Sequence, residues 1–219
     1  KKIPQYLKLS FPILISGYVQ MIMSSLNEAL VPIALLKYHS SPEKSLSEYG
    51  MFEAMIIPVV FFPAVVISSL SSIIIPEIAR AKSAGDDNRV KHLIHQSLAK
   101  SCSYSFFIAG LLFICGKNIG MIICPTDSLV AQSLVKMFPI VPFIYLEIVL
   151  EGILKGLGKQ NFSTVNSLCE YTIRIICVIV FVHFYGFTGV LISYYASNIY
   201  SNIVRIIVVC KTANLKFDL

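Results

Sequence analysis

Charge is scarce in this sequence. Asp, Glu, Lys and Arg make up 14% of its 219 residues, against roughly 25% in a soluble domain. That leaves too little polar surface for a water-facing fold, and hydrophobic residues reach 56%. Cysteine pairing is missing too. Cys102, Cys115, Cys124, Cys169, Cys177 and Cys210 form no CxxC pair, and most fall in apolar stretches. This spacing gives no support to a zinc site or a disulfide framework; it reads as free thiols packed as small hydrophobes. No cleavable leader precedes the first apolar run. The chain opens Lys1-Lys2-Ile3-Pro4 without a methionine, as expected of a later part of a longer chain. The net charge of +6 does not point to nucleic acid, because the basic residues sit at the ends of apolar runs rather than in one patch.

What remains is long apolar segments. A bilayer-crossing helix needs roughly 20 mostly apolar residues. Six runs meet that need, at 9–36, 49–75, 101–124, 129–154, 165–184 and 187–210. The fold class is therefore all-α, a polytopic membrane protein with one six-helix lobe over 1–219. Lys1, Lys2, Lys8, Arg80, Lys82, Arg89, Lys91, Lys100, Lys155, Lys159, Lys211 and Lys216 fall on one side of such a lobe. Lys37, Lys44 and Lys117 fall on the other. The positive-inside rule puts the first side, with both ends of the segment, in the cytoplasm of a cell membrane. An even number of spans requires the same.

The polar stretch 76–100 is the main connector. Gly85 suits a left-handed helix stop, and Asp86 or Asp87 suits an N-cap. Val90, Leu93, Ile94 and Leu98 then follow helical spacing. Two readings stand: a basic amphipathic helix on the headgroups, or a solvated connector. Span three is expected to break softly near Gly116 and Gly120. Prolines at 12, 32, 58, 63, 139 and 142 each remove a backbone donor and favour kinks. Gly152 and Gly156 are spaced for close helix packing. His92 and His95 lie three apart, but no acidic or cysteine partner accompanies them, so no metal site is expected.

Glu28, Glu53, Lys136, Glu147, Glu151, Glu170 and Arg174 lie inside apolar spans. An ionised side chain at a helix centre costs about 2.5–3.5 kcal/mol on insertion scales. These residues should therefore face a polar interior. Glu147, Glu151 and Lys155 recur every four residues on one helix face, as do Asn166, Glu170 and Arg174. Tyr194, Asn198 and Asn202 add a polar face on the last span. The expected site is a hydrophilic cavity holding Glu147, Glu151, Arg174, Lys136, Tyr194 and Asn198. The competing reading is a structural Glu170–Arg174 bridge with interhelical amide bonds.

Four stretches carry a resemblance: Leu9-Ser10-Phe11-Pro12-Ile13; Ile74-Ile75-Pro76-Glu77-Ile78-Ala79-Arg80-Ala81 with Ala84-Gly85-Asp86; Gly152 to Lys159; and the paired final spans. In order and spacing they resemble the carboxy-terminal half of the multidrug/oligosaccharidyl-lipid/polysaccharide (MOP) flippase superfamily, which includes the MATE exporters. The nearest branch is the stage V sporulation protein B-like and polysaccharide biosynthesis proteins. The resemblance implies one lobe of a two-lobed alternating-access transporter, partnered by a missing amino-terminal lobe and by membrane lipids. Its cargo would be a lipid-linked oligosaccharide or peptidoglycan precursor. The resemblance further implies a sodium ion or proton as coupling ion, on Glu28, Asn166 and Glu170, and no cofactor. Two alternatives stand beside it: a cation-coupled multidrug exporter of the same superfamily, and a membrane-embedded polyprenyl-linked transferase. The transferase would need acidic or histidine groups at a membrane surface, and the loop offers only Asp86-Asp87. Single cysteines placed between residues 80 and 91 should react with impermeant reagents from the cytoplasmic side only; labelling from outside would reverse the topology.

Overall fold

The computed structural model describes the backbone of residues 3–125 and 128–213, and the side chains of 17–125 and 128–213. Lys1, Lys2 and Lys216 of the charge tally, and the side chains of Lys8 and of the Leu9–Ile13 stretch, lie outside the described residues. The described chain folds as helices: α1 (Ile3–His39), α2 (Pro42–Met51), α3 (Ile57–Phe61), α4 (Ala64–Ser83), α5 (Asp87–Ile123), α6 (Ser128–Met137), α7 (Val141–Gly156), α8 (Gln160–Tyr185) and α9 (Phe187–Thr212). A π-helical turn, Phe52–Ile56, joins α2 to α3, and a 3-10 turn, Phe138–Ile140, joins α6 to α7. Taken as passes, these are α1, α2–α4, α5, α6–α7, α8 and α9.

Proline explains the interruptions. Pro58 offers no N–H to the Ala54 carbonyl, and the helix widens so that the Ile57 amide bonds the Phe52 carbonyl. At Phe62–Pro63 the helix stops and restarts at Ala64. Freed carbonyls inside a membrane helix need other donors. The Tyr145 hydroxyl donates to the Val60 carbonyl at 2.8 Å; the Pro63 carbonyl, which accepts from the Val66 amide, also takes the Tyr104 hydroxyl at 3.1 Å. Pro139 lies inside the 3-10 turn and Pro142 in the first turn of α7. Pro32 leaves α1 unbroken.

Two expectations change. The 76–100 stretch contains no separate helix lying on the headgroups. Its first part ends α4, and the rest is the start of α5, which runs unbroken for 37 residues, roughly 55 Å at 1.5 Å per residue. The cause is packing: α5 lies against α4, with Val90 and Ile94 buried, so the stripe serves the protein rather than the lipid. Nor does α5 break at Gly116 or Gly120. Both are buried, and a side chain on Gly120 would overlap Ala131 of α6. The glycines let two helices approach.

The turns at this pole are built alike. Gly85 has φ +71°, the Gly85 amide bonds the Lys82 carbonyl and the Asp86 amide the Ala81 carbonyl. This is a Schellman stop. Asp86 then caps α5 by accepting from the Arg89 amide at 2.9 Å. Gly158 closes α7 with the same pair of bonds, and Lys82 Nζ donates to the Leu157 carbonyl at 2.5 Å, tying the two turns together.

Helix α7 sits at the centre, packed by α4, α5 and α9. Val149, Leu150, Ile153 and Leu154 are fully buried. Gly152 and Gly156 meet α4: a methyl on Gly152 would overlap the Ser71 hydroxyl, and one on Gly156 would crowd Ile78. Ser71 uses that closeness to donate to the Ile148 carbonyl at 2.9 Å. The outer surface is the reverse of a soluble protein's, with Phe62 81% and Ile122 80% exposed. Five of the described helical segments are long and apolar enough to cross a membrane: Gly17–His39, Ala64–Ser83, Asp87–Ile123, Ser128–Gly156 and Gln160–Tyr185. Helix α9 has the length but carries a polar face. Gly152→Leu should cost about 1–3 kcal/mol through overpacking. The readout is thermal unfolding in detergent, followed by thiol reactivity because the chain has no tryptophan.

Candidate functional site

The polar face of α9 turns inward. Ser193, Ser197, Asn198, Ser201, Asn202 and Arg205 are all buried, and Arg205 is 1% exposed. Arg205 is the hub of the lobe's charges. Its Nη2 lies 3.1 Å from Glu147 on α7 and 4.0 Å from Glu170 on α8, and its Nη1 lies 3.8 Å from Glu151. It also donates to the Ser167 hydroxyl at 2.9 Å. Glu170 is held more closely by Arg174, at 2.6 Å, and Glu151 by Lys155, at 2.7 Å. Three carboxylates thus face three cations across α7, α8 and α9. In a low-dielectric interior an unpaired charge is costly, and pairing with added hydrogen bonds offsets that cost.

The network extends through amides and hydroxyls. Ser201 donates to Glu147 at 3.2 Å, and the Asn166 amide donates to the Ser201 hydroxyl at 3.0 Å. Arg174 Nε donates to the Ser197 hydroxyl at 2.9 Å, and the guanidinium stacks 4.3 Å above the Tyr194 ring. The Asn198 amide bonds the Tyr194 carbonyl of its own helix at 2.9 Å, and Asn202 reaches the Phe143 carbonyl of α7 at 2.9 Å. Three buried atoms here have no partner in the described structure: Asn166 Oδ1, Asn202 Oδ1 and Arg205 Nε.

A second group stands apart. Glu28 is on an exposed face of α1, where it accepts from Ser24 at 2.9 Å. Glu53 is half-buried in the π-helical turn, four residues after Tyr49. The charges of both carboxylates act on Tyr49 and Tyr194, so this group borders the Tyr194–Arg174 edge of the network. Among the described residues no Lys or Arg nitrogen lies within 4 Å of Glu28 or Glu53.

Of the residues expected to share a site, Glu147, Glu151, Glu170, Asn166, Arg174, Tyr194 and Asn198 meet along α7–α8–α9. Lys136 does not join them. It is exposed on α6, and only its carbonyl takes part, accepting from the Tyr195 hydroxyl at 2.6 Å. Glu28 joins Glu53 instead. The carboxylates of α7 and α8 are paired, while of the acidic residues Glu28 stays exposed and Glu53 and Glu151 are half-buried. Arg205 is absent from the sequence reading, yet it had a signal. It continues the stripe of Asn198 and Asn202 by one more turn. All six cysteines are free and half-buried. Among the described residues no group of His, Cys, Asp and Glu gathers to hold a metal ion.

The fold and this network define a multi-pass helical membrane protein whose charged interior is neutralised across three helices. The MatE family model matches residues 16–180, and the chain belongs to that family. Its fold is similar to a solved outward-facing multidrug resistance MATE family transporter of the MOP superfamily, with a TM-score of 0.72 at 8% identity. The likeness covers 92% of this chain and 46% of that one, so the chain spans about half of the transporter's length. Comparison with curated proteins gives no match.

Replacing Arg205 with Leu should cost about 3–5 kcal/mol, because Glu147 and Glu170 are left buried without their shared partner. Lys155→Gln, in a pair more than a third exposed on each side, should cost under about 1 kcal/mol. Thermal unfolding of the two purified variants checks the ranking, and equal losses would remove Arg205 from its central role.

Proposed function

We propose that this chain is the carboxy-terminal lobe of a two-lobed, alternating-access transporter that moves a lipid-linked oligosaccharide or peptidoglycan precursor across the cell membrane. Family membership and the half-length fold likeness support a transport lobe. The lipid-linked cargo rests on the motif resemblance at 74–86 and 152–159 and on one observation. A cavity of about 380 Å³, bounded by Cys102, Phe106, Phe138 and Phe143, adjoins a second of about 230 Å³ bounded by Leu98, Leu150 and Val209, with Cys102 and Leu146 shared. The two form an apolar groove between α5 and α9, floored by α7. A polyprenyl chain fits such a surface, and no charged residue lines it.

Coupling follows from the carboxylates. Glu28, Asn166 and Glu170 are the proposed ligands of a sodium ion or proton. The Asn166 Oδ1 atom suits a cation, being buried and without a partner. Glu170 is occupied by Arg174 and Arg205, so an ion there competes with Arg174. Arg174, Glu147, Glu151, Tyr194 and Asn198 then line the substrate path, with Lys136 at its rim. The second lobe supplies the opposite wall. An exporter of cationic drugs is the competing reading, and a different observation favours it: among the described residues Glu28 and Glu53, beside Tyr49, have no Lys or Arg nitrogen within 4 Å.

The two separate in liposomes carrying the full-length protein. A fluorescent polyprenyl-diphosphate sugar should be flipped, and ethidium should not be exported. Glu28→Gln should lower the ion-dependent rate by on the order of tenfold, the cost of one charged ligand. Ethidium transport with no lipid movement selects the exporter.

A further inference from the structure

Helices α1 and α8 end together at the pole away from the Schellman turns, where the Tyr38 ring packs on Gly186. Between their last turns lies a crevice of about 350 Å³, lined by Leu30, Ile33, Ala34 and Lys37 of α1 and by Ile179 and His183 of α8. Helical spacing builds it. Residues 30, 33, 34 and 37 fall on one face of α1, and 179 and 183 on one face of α8. The rest of the lining is apolar, and Lys37 and His183 are the lining residues nearest the two helix ends.

Among the described residues no carboxylate lies within 4 Å of Lys37 or His183, and the nearby Glu48 is taken up by His39 at 2.8 Å. Tyr38, Phe184 and Tyr185 are exposed at the same level, where aromatic side chains mark the membrane interface. The groove between α5 and α9 lacks this feature, since no charge lines it.

We propose that this crevice is a binding site for an anionic phospholipid. The phosphate sits on Lys37 Nζ and a ring N–H of His183, and one acyl chain runs along Leu30, Ile33, Ala34 and Ile179. Lys37 reaches the headgroup level by laying its methylene stem along the apolar wall. The imidazole presents an N–H donor in either protonation state. A zwitterionic lipid carries its own ammonium beside the phosphate. An anionic one leaves the phosphate charge to the protein, so the site favours the latter. The proposal does not depend on the transport reading.

Native mass spectrometry of the purified chain tests it, with phosphatidylglycerol, phosphatidylcholine and inorganic phosphate as separate probes. Phosphatidylglycerol should be retained over phosphatidylcholine by on the order of tenfold, as expected for two charge-assisted hydrogen bonds. The double variant Lys37→Gln/His183→Gln should erase the preference, and Lys37→Arg should keep it. Ala34→Phe leaves both donors in place and should lower phosphatidylglycerol retention by filling the crevice, which keeps the test valid if the double variant fails to fold. An equal hold on both lipids, a double variant that keeps the preference, or full displacement by inorganic phosphate would each overturn the proposal; the last would mean an anion site without a lipid.

Discussion

The pairing of Arg205 with the carboxylates of α7 and α8 is the constraint on which the interior of this lobe depends. Lipid cannot solvate an ion, and burial of one charge forces burial of its partners. Arg205 is 1% exposed, so its cost is offset only because Glu147, Glu151, Glu170 and Ser167 converge on it. That convergence fixes the relative rotation of α7, α8 and α9. Arg174 and Lys155 then neutralise the surplus acid. The remaining amides, Asn166, Asn198 and Asn202, knit the same helices through hydroxyls and carbonyls.

Around this centre the lobe separates two kinds of acid. Glu147 and Glu170 are committed to partners. Glu28 and Glu53 are not, and they border the Tyr194 edge where Arg174 stacks. Glu170 is held by an arginine that has an aromatic face to rest on. The proline-widened turn at Phe52–Ile56 carries Glu53, and π-helical turns recur at functional positions. Tyr145 and Tyr104 donate to the Val60 and Pro63 carbonyls at the bend.

The same economy appears at the poles. At one, two Schellman turns joined by Lys82 hold α4, α5 and α7 in register. At the other, α1 and α8 meet through Tyr38 and Gly186 and leave a basic-mouthed crevice facing the lipid.

The sequence by itself determined the class, an all-α membrane fold. Apolar runs of bilayer length can only be helices, because hydrocarbon offers backbone groups no other partner. Local rules also reached the Gly85 stop, a cap at Asp86 or Asp87 that falls on Asp86, and the close packing at Gly152 and Gly156. Tertiary structure alone decided how the charges were shared. Spacing along one helix could pair Glu170 with Arg174, but not bring Arg205 across from α9 to Glu147 and Ser167, because that contact joins residues 38 and 58 positions apart. It also decided that the 76–100 stripe packs on α4 rather than on lipid. An apolar face announces that it will be buried, and only the fold says against what.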